Sequence, residues 1–141
     1  MSCVRVFLLL FAAFLIASPA AADSRAEERA AIIQVIERQI EAFRKDDPAL
    51  AFSYASPKIQ AQFKTPETFI QMVISGYMPV YRPRSVTFLD LVEDEGRLIQ
   101  RATIEGPDGV AVMALYPMMR LPDGTWRIDG CALVPIPGKG I

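Results

Sequence analysis

The chain has no histidine, so any chemistry it performs must come from carboxylates, phenols, guanidinium groups, amides or a thiol. That excludes His-dependent triads, His-ligated metals and haem held by a His ligand. Asp90 and Gln100 stand out because they alternate with mainly apolar neighbours: Val86, Phe88, Asp90 and Val92 share one strand parity, and Leu98, Gln100, Ala102 and Ile104 another. A carboxylate turned inward in an apolar shell becomes a better proton acceptor. Asp90 could then serve as a general base, with Tyr54 or Tyr116 donating a hydrogen bond to a developing oxyanion. Leu89 and Leu91 leave the facing of this strand open, and a charged residue at a sheet edge is ordinarily solvated.

Binding chemistry has its own set of residues. Tyr54, Tyr77 and Tyr81 each offer a broad apolar ring with one polar tip, which suits a small-molecule pocket; the structural alternative is that they close the core, with their hydroxyls on backbone groups. Arg82 and Arg84 lie two residues apart, and Arg101 falls on the next strand; a register that gathers them would grip a carboxylate or phosphate. Otherwise they pair on the surface with Asp90, Glu93 or Glu105. The ligand-binding set expected from these residues is Tyr54, Tyr77, Tyr81, Arg82, Gln100 and Arg101, with Asp90, Tyr54 and Tyr116 as the catalytic alternative. Cys131 reads as a structural thiol, and Met113, Met118 and Met119 as adaptable filler or contact surface. No metal-ligand spacing and no cofactor motif is present, so no cofactor and no metal site are expected.

These residues need elements to position them. Arg5, an unbroken apolar run over residues 6–16, Ser18-Pro19 and Ala20-Ala21-Ala22 have the order of a secretory signal, predicting cleavage after Ala22. The run is too short to span a membrane, so no span is expected once the signal is gone. Cleavage would remove Cys3 and leave Cys131 alone, without an intramolecular disulfide partner. The whole chain carries 15 basic and 16 acidic residues, with no basic stripe, which disfavours nucleic acid and anionic membrane surfaces as partners. A single domain over residues 23–136, with a flexible tail at 137–141, accounts for the remainder.

Ile32, Ile36, Ile40 and Phe43 recur at helical spacing and predict an amphipathic helix over residues 24–45. Asp47-Pro48, Ser56-Pro57 and Thr65-Pro66 each place a capping side chain before a proline, predicting two brief helices and a longer one over 66–75, ended by a left-handed Gly76. The prolines of residues 76–84 predict a non-helical linker. Four strands are predicted at 85–93, 97–105, 110–121 and 125–135, separated by Gly- and Asp-rich turns that make them an antiparallel meander, with a bulge at Pro117. The fold class is α+β: a long N-terminal helix and short helices on a curved four-stranded sheet. Ile36, Ile40, Phe43, Phe88, Trp126 and Ile128 should meet in its core.

The order of helix, short helices and strands, with its ending Asp123-Gly124-Thr125-Trp126-Arg127-Ile128, resembles the nuclear-transport-factor-2-like superfamily. More specifically, Phe52 to Pro57, the segment from Gly76-Tyr77 through Val86, and Gly130-Cys131 with Val134-Pro135 resemble a family of short exported Gram-negative bacterial proteins known as a domain of unknown function. The superfamily resemblance implies a cone with a pocket open at one end, and pairing of two copies through the sheet face. Its members include steroid isomerases, epoxide hydrolases and dehydratases as well as non-catalytic binding or dimerisation modules, so fold alone does not choose the activity. The resulting expectation is a periplasmic or secreted module that binds an unknown small molecule or protein. The alternative is a small pocket enzyme of the isomerase, hydratase or hydrolase kind.

Overall fold

A computed structural model describes residues 19–137. The apolar run at 6–16, with Arg5 and Cys3, and all of the expected tail beyond Pro137 lie outside the described residues. The elements are α1 (Pro19–Arg44), α2 (Pro48–Ser53), α3 (Pro57–Phe63), α4 (Pro66–Gly76), α5 (Met78–Tyr81), β1 (Ser85–Asp94), β2 (Arg97–Glu105), β3 (Ala111–Arg120), β4 (Trp126–Ile128) and β5 (Ala132–Pro135). This is the α+β arrangement, helices first and an antiparallel sheet after.

The α1 stripe buries Ile32, Ile36, Gln39, Ile40, Ala42 and Phe43. Within the described residues the helix already includes Pro19, ahead of the expected start at residue 24, because Ala20, Ala21 and Ala22 are strong helix formers that continue it outward. Residues 19–27 are all exposed, so that first stretch rests on propensity and not on packing. At its other end Asp47 N–H donates to Ala42 O at 2.9 Å and Asp46 N–H to Phe43 O at 3.0 Å, closing the helix around a left-handed Asp46 with φ 51°. Asp47, Ser56 and Thr65 then cap the next three helices, accepting from the backbone N–H of Leu50, Ile59 and Thr68, with proline at the first helical position.

Two expectations about the next segment are corrected. Gly76 is not left-handed: α4 runs through it and is capped by Tyr77, whose N–H donates to Val73 O at 2.8 Å. Residues 78–81, expected to be non-helical, form the single turn α5. Pro79 falls in that turn's first positions, where its missing N–H costs nothing, while Arg82 N–H reaches Met78 O at 2.9 Å. The non-helical backbone that proline favours in its predecessor is found in this segment at Arg82, before Pro83, with φ −137° and ψ 65°.

The sheet runs β1-β2-β3 as an antiparallel meander, and both β4 and β5 pair along the remaining edge of β3. The single fourth strand expected at 125–135 is therefore two. Met118 pairs with Ile128 but Leu115 pairs with Ala132, a register slip of one residue at Asp129-Gly130-Cys131, directly across from Pro117. The bulge thus sits on the strand opposite the proline. Pro117 has no N–H to offer, yet its carbonyl still accepts from Asp129 N–H at 2.9 Å, and a Cβ on Gly130 would lie 3.3 Å from the Pro117 ring.

A second bulge re-aims β1. Phe88 pairs with Ala102 and Leu91 with Gln100, so Leu89 and Asp90 together oppose Arg101 alone. Gln100 is fully buried and donates its amide to Leu89 O at 2.9 Å, and Arg29 of α1 reaches the same carbonyl at 2.7 Å. Beyond this point the alternation of β1 is reset, and Asp90 stands outward, paired with Arg101 at 2.6 Å. Of the two facings left open for Asp90 the solvated one is found, and the inward one that would make it a base is corrected accordingly. Ile36, Ile40, Phe43, Trp126 and Ile128 share one buried cluster; Phe88 packs against it half-buried.

Candidate functional site

The short helices do not lie flat on the sheet; between them and the β3–β4 end they leave an apolar cavity of about 200 Å³. Its wall draws on every helical element except α2: Gln39 and Phe43 from α1, Ile59 and Phe63 from α3, Phe69 and Met72 from α4, Val80 from α5. Tyr116 of β3, Ile128 of β4 and the bulge residues Gly130 and Cys131 complete it, and the exposed Gln62 marks its mouth. Phe69 is the centre of the aromatic wall, with ring centroids 6.2 Å from Phe43, 5.3 Å from Phe52 and 5.9 Å from Phe63. Among the described residues none that lines this space is charged.

One polar group in the wall is unmet. Tyr116 is only 1% exposed and its hydroxyl has no hydrogen-bond partner. Burial holds its pKa well above the ordinary tyrosine value, and the neighbouring Cys131 thiol pushes it the same way without completing a hydrogen bond. The hydroxyl is therefore a neutral donor at any physiological pH. Leaving such a group unsatisfied costs about 1–3 kcal/mol. Gln39, by contrast, is tied: its amide donates to Ala51 O at 3.2 Å.

The sequence-derived site residues are dispersed. Tyr77 and Tyr116 line the cavity. Tyr54 is half-buried outside it, its carbonyl accepting from Ile128 N–H at 2.9 Å. Gln100 holds the β1 bulge and Arg101 pairs with Asp90, both away from the cavity. Arg82, Arg84 and Arg101 are not brought together: Arg82 meets Asp46 at 2.6 Å, and Arg84 lies 3.9 Å from Glu105. The anion-gripping arrangement is corrected by the register, which sends each guanidinium to a different carboxylate. Gln39, Phe63 and Met72 were missed. Gln39 carried a readable signal, since a polar residue three positions after Ile36 falls on the buried stripe.

Tyr81 and Arg82 instead form a clamp. The Tyr81 hydroxyl donates to Asp46, Arg82 Nη1 donates to Phe43 O at 2.5 Å, and the Arg82 guanidinium lies 4.2 Å from the Tyr81 ring centroid. The clamp ties α5, and with it the cavity residues Tyr77 and Val80, to the end of α1. The Tyr81 hydroxyl foremost, then Arg82, hold the Asp46 carboxyl below its ordinary value of 3.8. A carboxyl lowered on folding stabilises the protein above its unfolded pKa, and that contribution is lost as pH falls through the lowered folded value. Asp46→Asn, which tolerates the left-handed backbone, should therefore flatten the acid limb of a stability-against-pH curve below about pH 4. Identical acid limbs in the two proteins, measured by urea unfolding, would show that the clamp does not bind in solution.

No helix among the described residues is long and apolar enough to cross a membrane, and no group of His, Cys, Asp or Glu among them is gathered to hold a metal. No curated protein and no solved structure gives a significant match to the chain. The family described as Domain of unknown function (DUF4864) matches residues 25–141, and with nearly the whole described chain inside that match, the protein belongs to this family.

Proposed function

We propose that the protein is an exported module that holds a small, largely apolar molecule in the cavity between its short helices and the β3–β4 end. The observation that carries this reading is an apolar, uncharged cavity with one unsatisfied buried hydroxyl in its wall, that of Tyr116. A packed interior has few voids larger than a water molecule, and a convergent polar group in an apolar pocket is the usual form of a ligand site. The superfamily resemblance, a sheet wrapped on a long helix with a pocket at one end, points the same way. Export is supported by the signal-like order of the first 22 residues. The exposed start of α1 would lose no packing on cleavage.

Protein recovered from the cell envelope should begin at Asp23 and, by native mass spectrometry, carry a co-purifying small molecule that is released on denaturation. Ile59→Trp places an indole at the half-buried cavity wall and should abolish the adduct while the protein remains folded by circular dichroism. An adduct that survives this plug sits elsewhere and defeats the cavity reading. An intact Met1 in the envelope fraction defeats the export reading.

A further inference from the structure

The cavity's dimensions and wall chemistry narrow what it can hold. An apolar cavity of about 150 Å³ admits benzene, and this one is about 200 Å³. That leaves room for one ring and a short substituent. Five rings, Phe43, Phe63, Phe69, Tyr77 and Tyr116, stand in the wall among aliphatic side chains, and aromatic faces prefer a flat aromatic guest in offset or edge contact. No lining residue among those described is charged, so a carboxylate, phosphate or ammonium would shed its hydration with nothing to replace it.

The Tyr116 hydroxyl sets the last requirement. A buried donor without an acceptor is rarer in folded proteins than an acceptor with a spare lone pair, so the hydroxyl proton is what needs a partner. A water could supply one only where two to four polar groups hold it; the other polar side chains of the wall are the Cys131 thiol, a weak partner, Gln39, whose amide N–H is already given to Ala51 O, and the exposed Gln62 at the mouth. We infer that the occupant is an uncharged single-ring aromatic compound whose short substituent presents one neutral acceptor oxygen to the Tyr116 hydroxyl. This rests on the cavity being a binding site, as proposed above.

Three single-ring probes of similar size separate the possibilities by calorimetric titration of the purified protein: acetophenone with a neutral acceptor, ethylbenzene with none, and benzoate with a charge. Acetophenone should bind about three- to tenfold more tightly than ethylbenzene, the range of one net hydrogen bond, and benzoate at least tenfold more weakly than acetophenone. Tyr116→Phe should bring acetophenone down to the ethylbenzene level and leave ethylbenzene within twofold. Ile59→Trp should abolish both neutral probes. Benzoate binding as tightly as acetophenone, or an acetophenone preference that persists in Tyr116→Phe, overturns the ligand class while the cavity reading stands. Failure of all three probes at millimolar concentration overturns both. Should Tyr116→Phe not fold, the acetophenone-to-ethylbenzene ratio in the unmodified protein decides, and a ratio of one overturns the acceptor requirement.

Discussion

Ile36→Ala should destabilise the protein by about 2–5 kcal/mol, the range for deleting a fully buried aliphatic side chain and leaving a void that its surroundings fill incompletely. Ile36 is 0% exposed and sits midway along the α1 stripe, in the same cluster as Tyr116, Trp126 and Ile128. Helix and sheet therefore meet through it. A domain of this size is stable by about 5–15 kcal/mol in total, so the truncation removes a large share and should lower Tm by roughly ten degrees or more. Glu37→Ala, one position round the helix on the exposed face, is the control and should stay within about 0.5 kcal/mol. Equal losses for the two would mean that the stripe does not face the sheet. Because Ile36 is not part of the cavity wall, probe binding at a temperature where the variant is folded should be unchanged.

What could be read from the residues, and what could not, follows from the range over which each feature is determined. The α1 stripe, the three capped prolines and the turns at Gly96, Gly109 and Gly124 are decided within a few positions. Each of those glycines does adopt a positive φ, near 80°. Asp90 was undecidable by the same means. Leu89-Asp90-Leu91 alternates equally well either way, and the choice is made by Gln100 and Arg29, which reach the Leu89 carbonyl from other elements. The split of the last strand is of the same kind: Pro117 announces an irregularity, but the extra residue is taken up by its neighbour, where Gly130 with φ 152° can kink. A polar residue within an apolar pattern was a real signal, read for the wrong purpose at Gln100 and left unread at Gln39. Gln39 and Gln100 are both buried on such patterns; the first lines the cavity and the second holds a bulge.

The cavity itself had no sequence signature, because its wall is assembled from four helices, two strands and a bulge, one or a few residues from each. Tyr116 illustrates the difficulty. The sequence offered it as an oxyanion donor, and the structure buries it in the core; what makes it chemically distinct is that no partner meets its hydroxyl, a property of every element packed around it. Of the tyrosines expected to suit a pocket, Tyr77 and Tyr81 divide between two roles. Tyr77 faces the cavity, while Tyr81 fastens the turn that carries Tyr77 to α1 through Asp46.

Cys131 in the folded protein should react with iodoacetamide at pH 8 about a thousandfold more slowly than in the denatured chain. Burial pushes its pKa from 9.0 up to about 12. The thiolate is the nucleophile, so a pKa three units higher reduces the reactive fraction by about three orders of magnitude at a pH below both values. The residue as a whole is half-buried, but its thiol is desolvated, and it is the thiol's surroundings that decide the rate. The same shift has a thermodynamic face. An acid whose pKa is raised on folding keeps its proton while the unfolded chain sheds it, so stability is undiminished below about pH 9 and falls as pH rises toward 12. Tyr116, shifted upward for the same reason, adds to that alkaline loss. Labelling followed by intact-mass spectrometry, with and without denaturant, checks the first statement, and urea unfolding between pH 8 and 11 checks the second. A folded-state labelling rate within tenfold of the denatured one would mean that the thiol is solvated, and the apolar wall around Tyr116 would then be open to water at that point.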